Sequence, residues 1–434
     1  MKTLESLILF LFCVNIAAFS QKDEQKLFKE CHKIVIAAVN SSNADKSSAD
    51  IVCTGKNDEK TIQNAINSLG SYGEIQFLAG VYIFDHFQET TDGTPFYALG
   101  IPGEDDVHSK IRLIGFDCNS IDIHLGDNPL DFKYNGVLFT VSKSCYDNLD
   151  STQQYAVIRS LKNRKTHLDF RYIAIVLPYN QKNIVCIDGI MFESIRVMHC
   201  ALQGSDKNRY DINSTPHLGV EGCIGVRGVQ GSNNCLEFNI EYVDCTSFGV
   251  GFAVGGEHYY GTNLGSVFCR YGFTFNCYPL TSGVWVHPIT LINCCDEASA
   301  NYPLFGDNTG RQPVVIINFN MEHYPNYFAI GGNLATEKVP GQWYGSIDYN
   351  IMSFEQDGFY HANTPKKPFW AKGNGQNVTS KNDAQKQMCS KEERLTYAPN
   401  FMQTIYDTTL RFPVTCIDPS IPIWIKSDGT RVDN

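Results

Sequence analysis

What this 434-residue sequence has little of narrows its class first. Basic residues are short: 35 Lys and Arg stand against 46 Asp and Glu, a net charge of -11. A nucleic-acid partner or an anionic membrane surface needs basic faces, so neither is expected. Charged residues are 19% of the chain against 43% hydrophobic, the balance of an ordered protein. No CxxC pair occurs, which removes a zinc ribbon and a thioredoxin-like site. "GKND" at Gly55 lacks the upstream glycine and the following Ser/Thr of a phosphate loop, and there is no HExxH, GxSxG or EF-hand loop. Past the N-terminus no apolar run is long enough to span a bilayer.

The N-terminus reads "MKTLESLILFLFCVNIAAFSQKDEQ". Lys2, an apolar run from Leu7 to Val14, and Ala18-Phe19-Ser20 form the pattern of a secretory signal peptide over 1–20, implying a secreted or cell-surface protein. Cleavage would remove one of the 16 cysteines and leave an odd number. Cys186, Cys200, Cys235, Cys245, Cys269, Cys277 and Cys294 fall inside apolar stretches, where a thiol packs as a small hydrophobe. Cys31 with Cys53, and Cys389 with Cys416, are candidate local bridges.

What is present is strand. The clearest helix is 57–69, with Asn57 or Asp58 to cap it, an Ile62, Ala65, Ile66, Leu69 stripe, and Gly70 to end it. The period then changes to two in "GEIQFLAGVYIFD", where Gly80 turns the chain between two runs. Further on, β-rich runs recur at Gly189, Leu236, Leu264, Ile289, Val314 and Gly345, spaced 47, 28, 25, 25 and 31 residues by subtraction, with an extra unit at Leu218. Repeats of this length are stacked supersecondary units. Their alternating or continuous β-branched pattern excludes helical repeats, and the missing aromatic signature excludes propeller blades. A right-handed parallel β-helix fits, all-β and single-stranded, with Asn293, Asn318 and Asn320 stacking or turning the chain between rungs. "GVGFAVGG" from Gly249 reads as tight turns of such a stack.

"ADIVCTGKNDEKTIQNAINSLGSYGEIQFLAGVYIFD" resembles the N-terminal signature of the pectate-lyase-like β-helix superfamily, over Asp50 to Asp85. The resemblance implies a β-helix over 21–362, capped by the helix at 57–69. A polar stretch over 363–395 reads as a linker. Over 396–434, Asp407-Thr408-Thr409-Leu410, Pro422-Ile423-Trp424 and Val432-Asp433 are similar to a small β-module that ends many phage tail-fibre and gut-bacterial surface proteins, with Arg431 where a second tryptophan is common.

The superfamily grouping implies shape more than chemistry. The N-x-D, D-D, G-H-G and R-x-K set of polygalacturonase-type members is absent in order, as is a pectate-lyase arginine motif, and Asp105-Asp106 lies in a loop before the main stack. Candidate chemistry therefore falls on strand ends. Glu241, Arg270, Asp296 with Glu297, and Glu322 with His323 occupy similar places in successive runs, while "GGEHYYG" puts Glu257, His258, Tyr259 and Tyr260 on a loop. "NMEHYPNYF" repeats the Glu-His-Tyr grouping with Tyr324. Glu257, His258, Asp296, Glu297, Glu322 and His323 are the catalytic candidates, and Glu241, Tyr259, Tyr260, Arg270 and Tyr324 the substrate-binding ones. Paired carboxyls suit glycoside hydrolysis; calcium-holding carboxylates with a basic group suit uronate elimination. The expected function is a polysaccharide lyase or glycosidase, with a non-catalytic glycan-binding or adhesive protein as the alternative. Calcium is needed only for the lyase chemistry, and no other metal or cofactor is expected. The partner is a glycan, and the oligomeric state is open, with a trimer compatible.

Overall fold

The computed structural model describes residues 32–323 apart from 91–94, 104–107, 119–122, 124, 126–127, 163, 179–182, 205–219, 231–232, 276–288, 298, 300–301 and 307–312, and beyond 323 short strands up to 432. The expected signal peptide, Cys31, Asp105-Asp106, Cys277 and Tyr324 lie outside these residues, and for Glu322 and His323 only the backbone is described. The chain forms two compact units, one mainly of residues up to 203 and one mainly of residues from 204 onward. Each contains a stack of parallel strands. Among the described residues no helix is long and apolar enough to cross a membrane.

In the first unit the run at 73–85 follows the rung His32–Ala37. Tyr72–Phe77 pairs in parallel with His32–Ala37 on one side and Ser109–Ile114 on the other, whereas Gly80–Phe84 pairs in parallel with Val137–Val141. The two runs are therefore neighbouring faces of one coil and not a hairpin. Gly80 makes the corner at φ +152°, where an added Cβ would stand 2.6 Å from the Ala38 Cβ. The first face continues through Thr166–Arg171 and Ser194–Gln203, stacking Ile75, Leu113, Phe170 and Val197 in register as an interior ladder. Each such side chain, fully buried, contributes roughly 1.5–3 kcal/mol. A third face stacks Phe96–Ile101, Tyr155–Ser160 and Ile184–Asp188.

The helix Asp58–Ser68 caps this stack through its first two carboxylates. Asp58 accepts N–H bonds from Gly55 and Ile83, each 3.0 Å, and Glu59 accepts one from Asp85 at 3.0 Å. Asn57 sits in the left-handed region and makes no side-chain cap; its N–H instead donates to Asp85 at 2.6 Å. The acidic residues at the helix start thus tie it to the strand Gly80–Phe84. The outer side of the second face is covered: Val81, Leu138, Ala174 and Ala201 pack under Ile123, Leu130 and Phe132 of the excursion after Ile114.

In the second unit the first face runs His258–Val267, Ile289–Ile292, Pro313–His323 and Tyr344–Phe354, matching Tyr259 to Ile289, Val314 and Gly345 in successive rungs. The rungs starting at Ile289, Val314 and Gly345 have the expected phase. The run at Leu264 does not, because its rung begins at His258 and Leu264 follows a left-handed corner at Asn263. The extra unit at Leu218 is the strand Val220–Arg227 of the third face, and "GVGFAVGG" lies largely in the strand Phe248–Val254 beside it. Phe252 and Phe273 stack there in register, with ring centroids 4.7 Å apart. The strand Asn377–Ser380, inside the stretch expected as a linker, adds a parallel rung to Ser346–Tyr349. Thr404–Asp407, Phe412–Asp418, Ile423–Ile425 and Arg431–Val432 form the antiparallel C-terminal module.

Corners recur at left-handed residues, Tyr172 and His199 in the first unit, and Tyr242, Asn263, Asn293 and Asn318 in the second. Asparagine tolerates this conformation best after glycine. Asn318 donates to Asn293 at 2.9 Å, the expected stacking, and Tyr172 and His199 stack their rings 4.8 Å apart. Cys186, Cys200, Cys235, Cys245, Cys269 and Cys294 are all buried, as expected for packing residues. Cys53 is likewise a buried free thiol, so it does not form the expected local bridge with Cys31.

Candidate functional site

The registers separate the residues expected to act together. Tyr259 and Tyr260 pair with Ile289 and Thr290 at the start of their strands, while Glu297 pairs with Val267 and Glu322 near the end. Glu257 and His258 therefore sit at the opposite end of the sheet from Asp296, Glu297, Glu322 and His323, on the order of 20 Å away along the strands. His258, Tyr259 and Tyr260 lie in a strand and not on a loop, and Tyr259 is buried against Phe238, ring centroids 5.0 Å apart. Glu241 precedes the corner at Tyr242, whereas Glu297 follows the corner at Asn293, so the expected column divides between two faces. Arg270 makes no ion pair with Glu241; its backbone N–H donates to Phe248 at 2.8 Å, and its Nε has no partner among the described residues.

Asp296 points inward. It is 1% exposed and accepts from the hydroxyls of Ser266 and Ser299 and, at 3.2 Å, from the Ser299 N–H. Burial pushes its carboxyl up to about 7 against the pull of these three donors. It cannot reach a groove, because alternation along the strand sends its neighbours Cys295 and Glu297 to the outside instead.

That alternation defines an outer wall on the second face of the second unit. Val243 and Cys245 are buried, so Asp244 between them faces outward. Its carboxylate lies over Gly265 of the next rung, where any side chain would collide with it, and Gly265 pairs with Cys295 of the rung after. Burial among these neighbours raises Asp244 to about 6. Glu297, also half-buried on this wall, is raised for the same reason. Glu297 and Glu322 are in register, so a carboxylate-bearing position repeats on successive rungs. The exposed Tyr242 and Tyr260 stand on strands of the same unit, 49% and 46% exposed.

The first unit presents a different surface. Its first face carries Lys33, Glu74, Arg112 and Asp169 in register, linked at 3.4, 2.8 and 3.5 Å, with Arg171 closing on Asp169 at 2.5 Å. Opposite charges that satisfy one another leave little for a ligand. At the edge of this face stand His108, His167 and Glu193, which the sequence reading did not single out. A cleft of about 210 Å³ beside Ser109 and Gly103 is smaller than sites that hold an oligosaccharide.

No protein-family model matches the chain, and no curated protein matches it in sequence. Two solved structures resemble it loosely. Tailspike protein 3 (TSP3, orf212) of bacteriophage CBA120 has a TM-score of 0.23 and 10% identity over 86% of this chain and 67% of its own. ORF18 of Geobacillus virus E2 has a TM-score of 0.25 and 11% identity over 88% of this chain and 73% of its own. The fold assignment stands on the strand registers, which need neither.

Proposed function

We propose that this chain is a secreted or surface-displayed polysaccharide-active protein of the pectate-lyase-like kind, working at the outer wall of its second unit. The observation that carries the reading is the pair of half-buried carboxyl groups, Asp244 and Glu297, both raised above the usual range on one wall. An acid that keeps its proton up to about pH 6 can protonate a leaving glycosidic oxygen in that range, and a second carboxylate can activate water. The two backbones are separated by two rungs and two residues, roughly 12 Å at usual strand spacings. Side chains reaching across that gap leave room for a water, which suits inversion over retention. In this assignment Asp244 is the acid and Glu297 or Glu322 the base. The N-terminal resemblance over Asp50 to Asp85 and the signal-peptide pattern support the superfamily and the export.

Exposed Tyr242 and Tyr260 supply ring faces on which pyranoses pack, and they favour glycan binding whether or not cleavage follows. The experiment is affinity electrophoresis of the purified chain in gels cast with a panel of neutral and acidic polysaccharides. Retardation by one glycan, reduced in Tyr242→Ala and Tyr260→Ala, supports the reading; equal mobility in every gel contradicts it.

A further inference from the structure

His108, His167 and Glu193 come from three successive rungs of the first unit. His108 precedes the strand Ser109–Ile114, His167 lies in Thr166–Arg171, and Glu193 precedes Ser194–Gln203. Stacking fixes their spacing: Ser109 pairs with Thr166, His167 pairs with Ser194, and the Glu193 N–H donates to the Thr166 carbonyl at 3.0 Å. Both imidazoles aim at one atom. His108 Nδ1 bonds to Glu193 Oε2, and His167 Nε2 lies 3.3 Å from the same oxygen. One donor atom from each residue lies within 4.8 Å of the other two, and all three residues are half-buried.

We propose that His108, His167 and Glu193 form a binding site for a borderline divalent transition-metal ion of the zinc type. Ligand bonds of about 2.0–2.2 Å in a tetrahedral site put donor atoms roughly 3.3 Å apart, the separation His167 and Glu193 already have. Two imidazoles with one carboxylate match zinc, cobalt or nickel; calcium and magnesium require an oxygen cage, which this set does not offer. Three protein ligands leave a fourth position for water. Ligation needs neutral imidazole, so binding is expected to be stronger above the ordinary histidine range. Lys110 is in register with His167 on the preceding rung, and Glu237 begins the following one, its N–H on the Glu193 carbonyl at 3.0 Å. Bound metal would clamp three rungs at an edge where the intervening segments, including 115–136, differ in length.

The test is isothermal titration of the full secreted chain, stripped with chelator, against zinc chloride near pH 7.5, with cobalt chloride as a spectroscopic probe. The expected result is one equivalent bound, visible ligand-field bands for cobalt, and at least tenfold weaker binding in His167→Ala and in Glu193→Gln, while the exposed His32→Ala binds as the parent does. Circular dichroism in chelator verifies that the variants are folded, and Glu193→Gln keeps the side-chain shape should His167→Ala fail. No stoichiometric binding by the parent, binding undiminished in both variants, or calcium binding in place of zinc would overturn the site.

Discussion

Asn318 donates from Nδ2 to Oδ1 of Asn293 across 2.9 Å, one rung to the next, and both residues sit at left-handed corners with φ of 55° and 54°. The side chain and the backbone conformation are therefore two separate contributions at one position, and substitution separates them. Asn293→Ala loses both the hydrogen bond and the conformational tolerance, for about 1–3 kcal/mol. Asn293→Gly loses only the bond and should cost less. Urea unfolding midpoints of the two variants decide it; equal losses would remove the conformational part of the explanation.

Gly80 makes the first corner against Ala38. Gly80→Ala should destabilise by about 1–3 kcal/mol, more than alanine at the open Gly70, where an added Cβ meets nothing within 4 Å. Thermal unfolding of the two variants tests the ranking.

Asp296 gives a pH signature. Its folded carboxyl titrates at about 7, above the roughly 3.9 of an unfolded aspartate, so the folded state holds the proton more tightly. Its contribution to stability is full below pH 4, falls as pH rises to about 7, and levels beyond, with a slope on the order of 1 kcal/mol per pH unit. Asp296→Asn should flatten denaturation midpoints measured across pH 4 to 7. An unchanged slope would show that the carboxyl is not protonated in the folded chain.

Thiol chemistry reports the interior. Burial pushes Cys200, Cys269 and Cys294 up to about 12, while Cys295 is exposed on the outer wall. Native-state alkylation followed by peptide mapping should label Cys295 quickly and the other three only after unfolding.

Much of this architecture was legible in the residues. The change from helical to two-residue period at Gly70, the recurring runs from Ile289 onward, the buried cysteines and the Asn293–Asn318 ladder each follow from local chemistry that the sequence displays. Phase was not legible where a corner interrupts a strand. The apolar run at Leu264 begins after the corner at Asn263, so Glu257 and His258 were grouped with Glu297 although parallel pairing puts them at opposite ends of the sheet. Asp244 carried no signal of its own, because its importance comes from Gly265 on the next rung. His108, His167 and Glu193 are brought together by coils of unequal length, one enlarged by the excursion after Ile114, and no fixed spacing announces them.

The central claim, that the wall bearing Asp244 and Glu297 cleaves a glycan, is tested most directly by digesting the polysaccharide that the chain binds and reading both reducing ends and unsaturated-uronate absorbance, with and without calcium. The account predicts new reducing ends without unsaturated product and without a calcium requirement. It also predicts a rate that falls above about pH 6 as Asp244 loses its proton, and a loss of about 100-fold or more in Asp244→Asn with binding retained. Tight binding with neither product, or cleavage undiminished in Asp244→Asn, would contradict it.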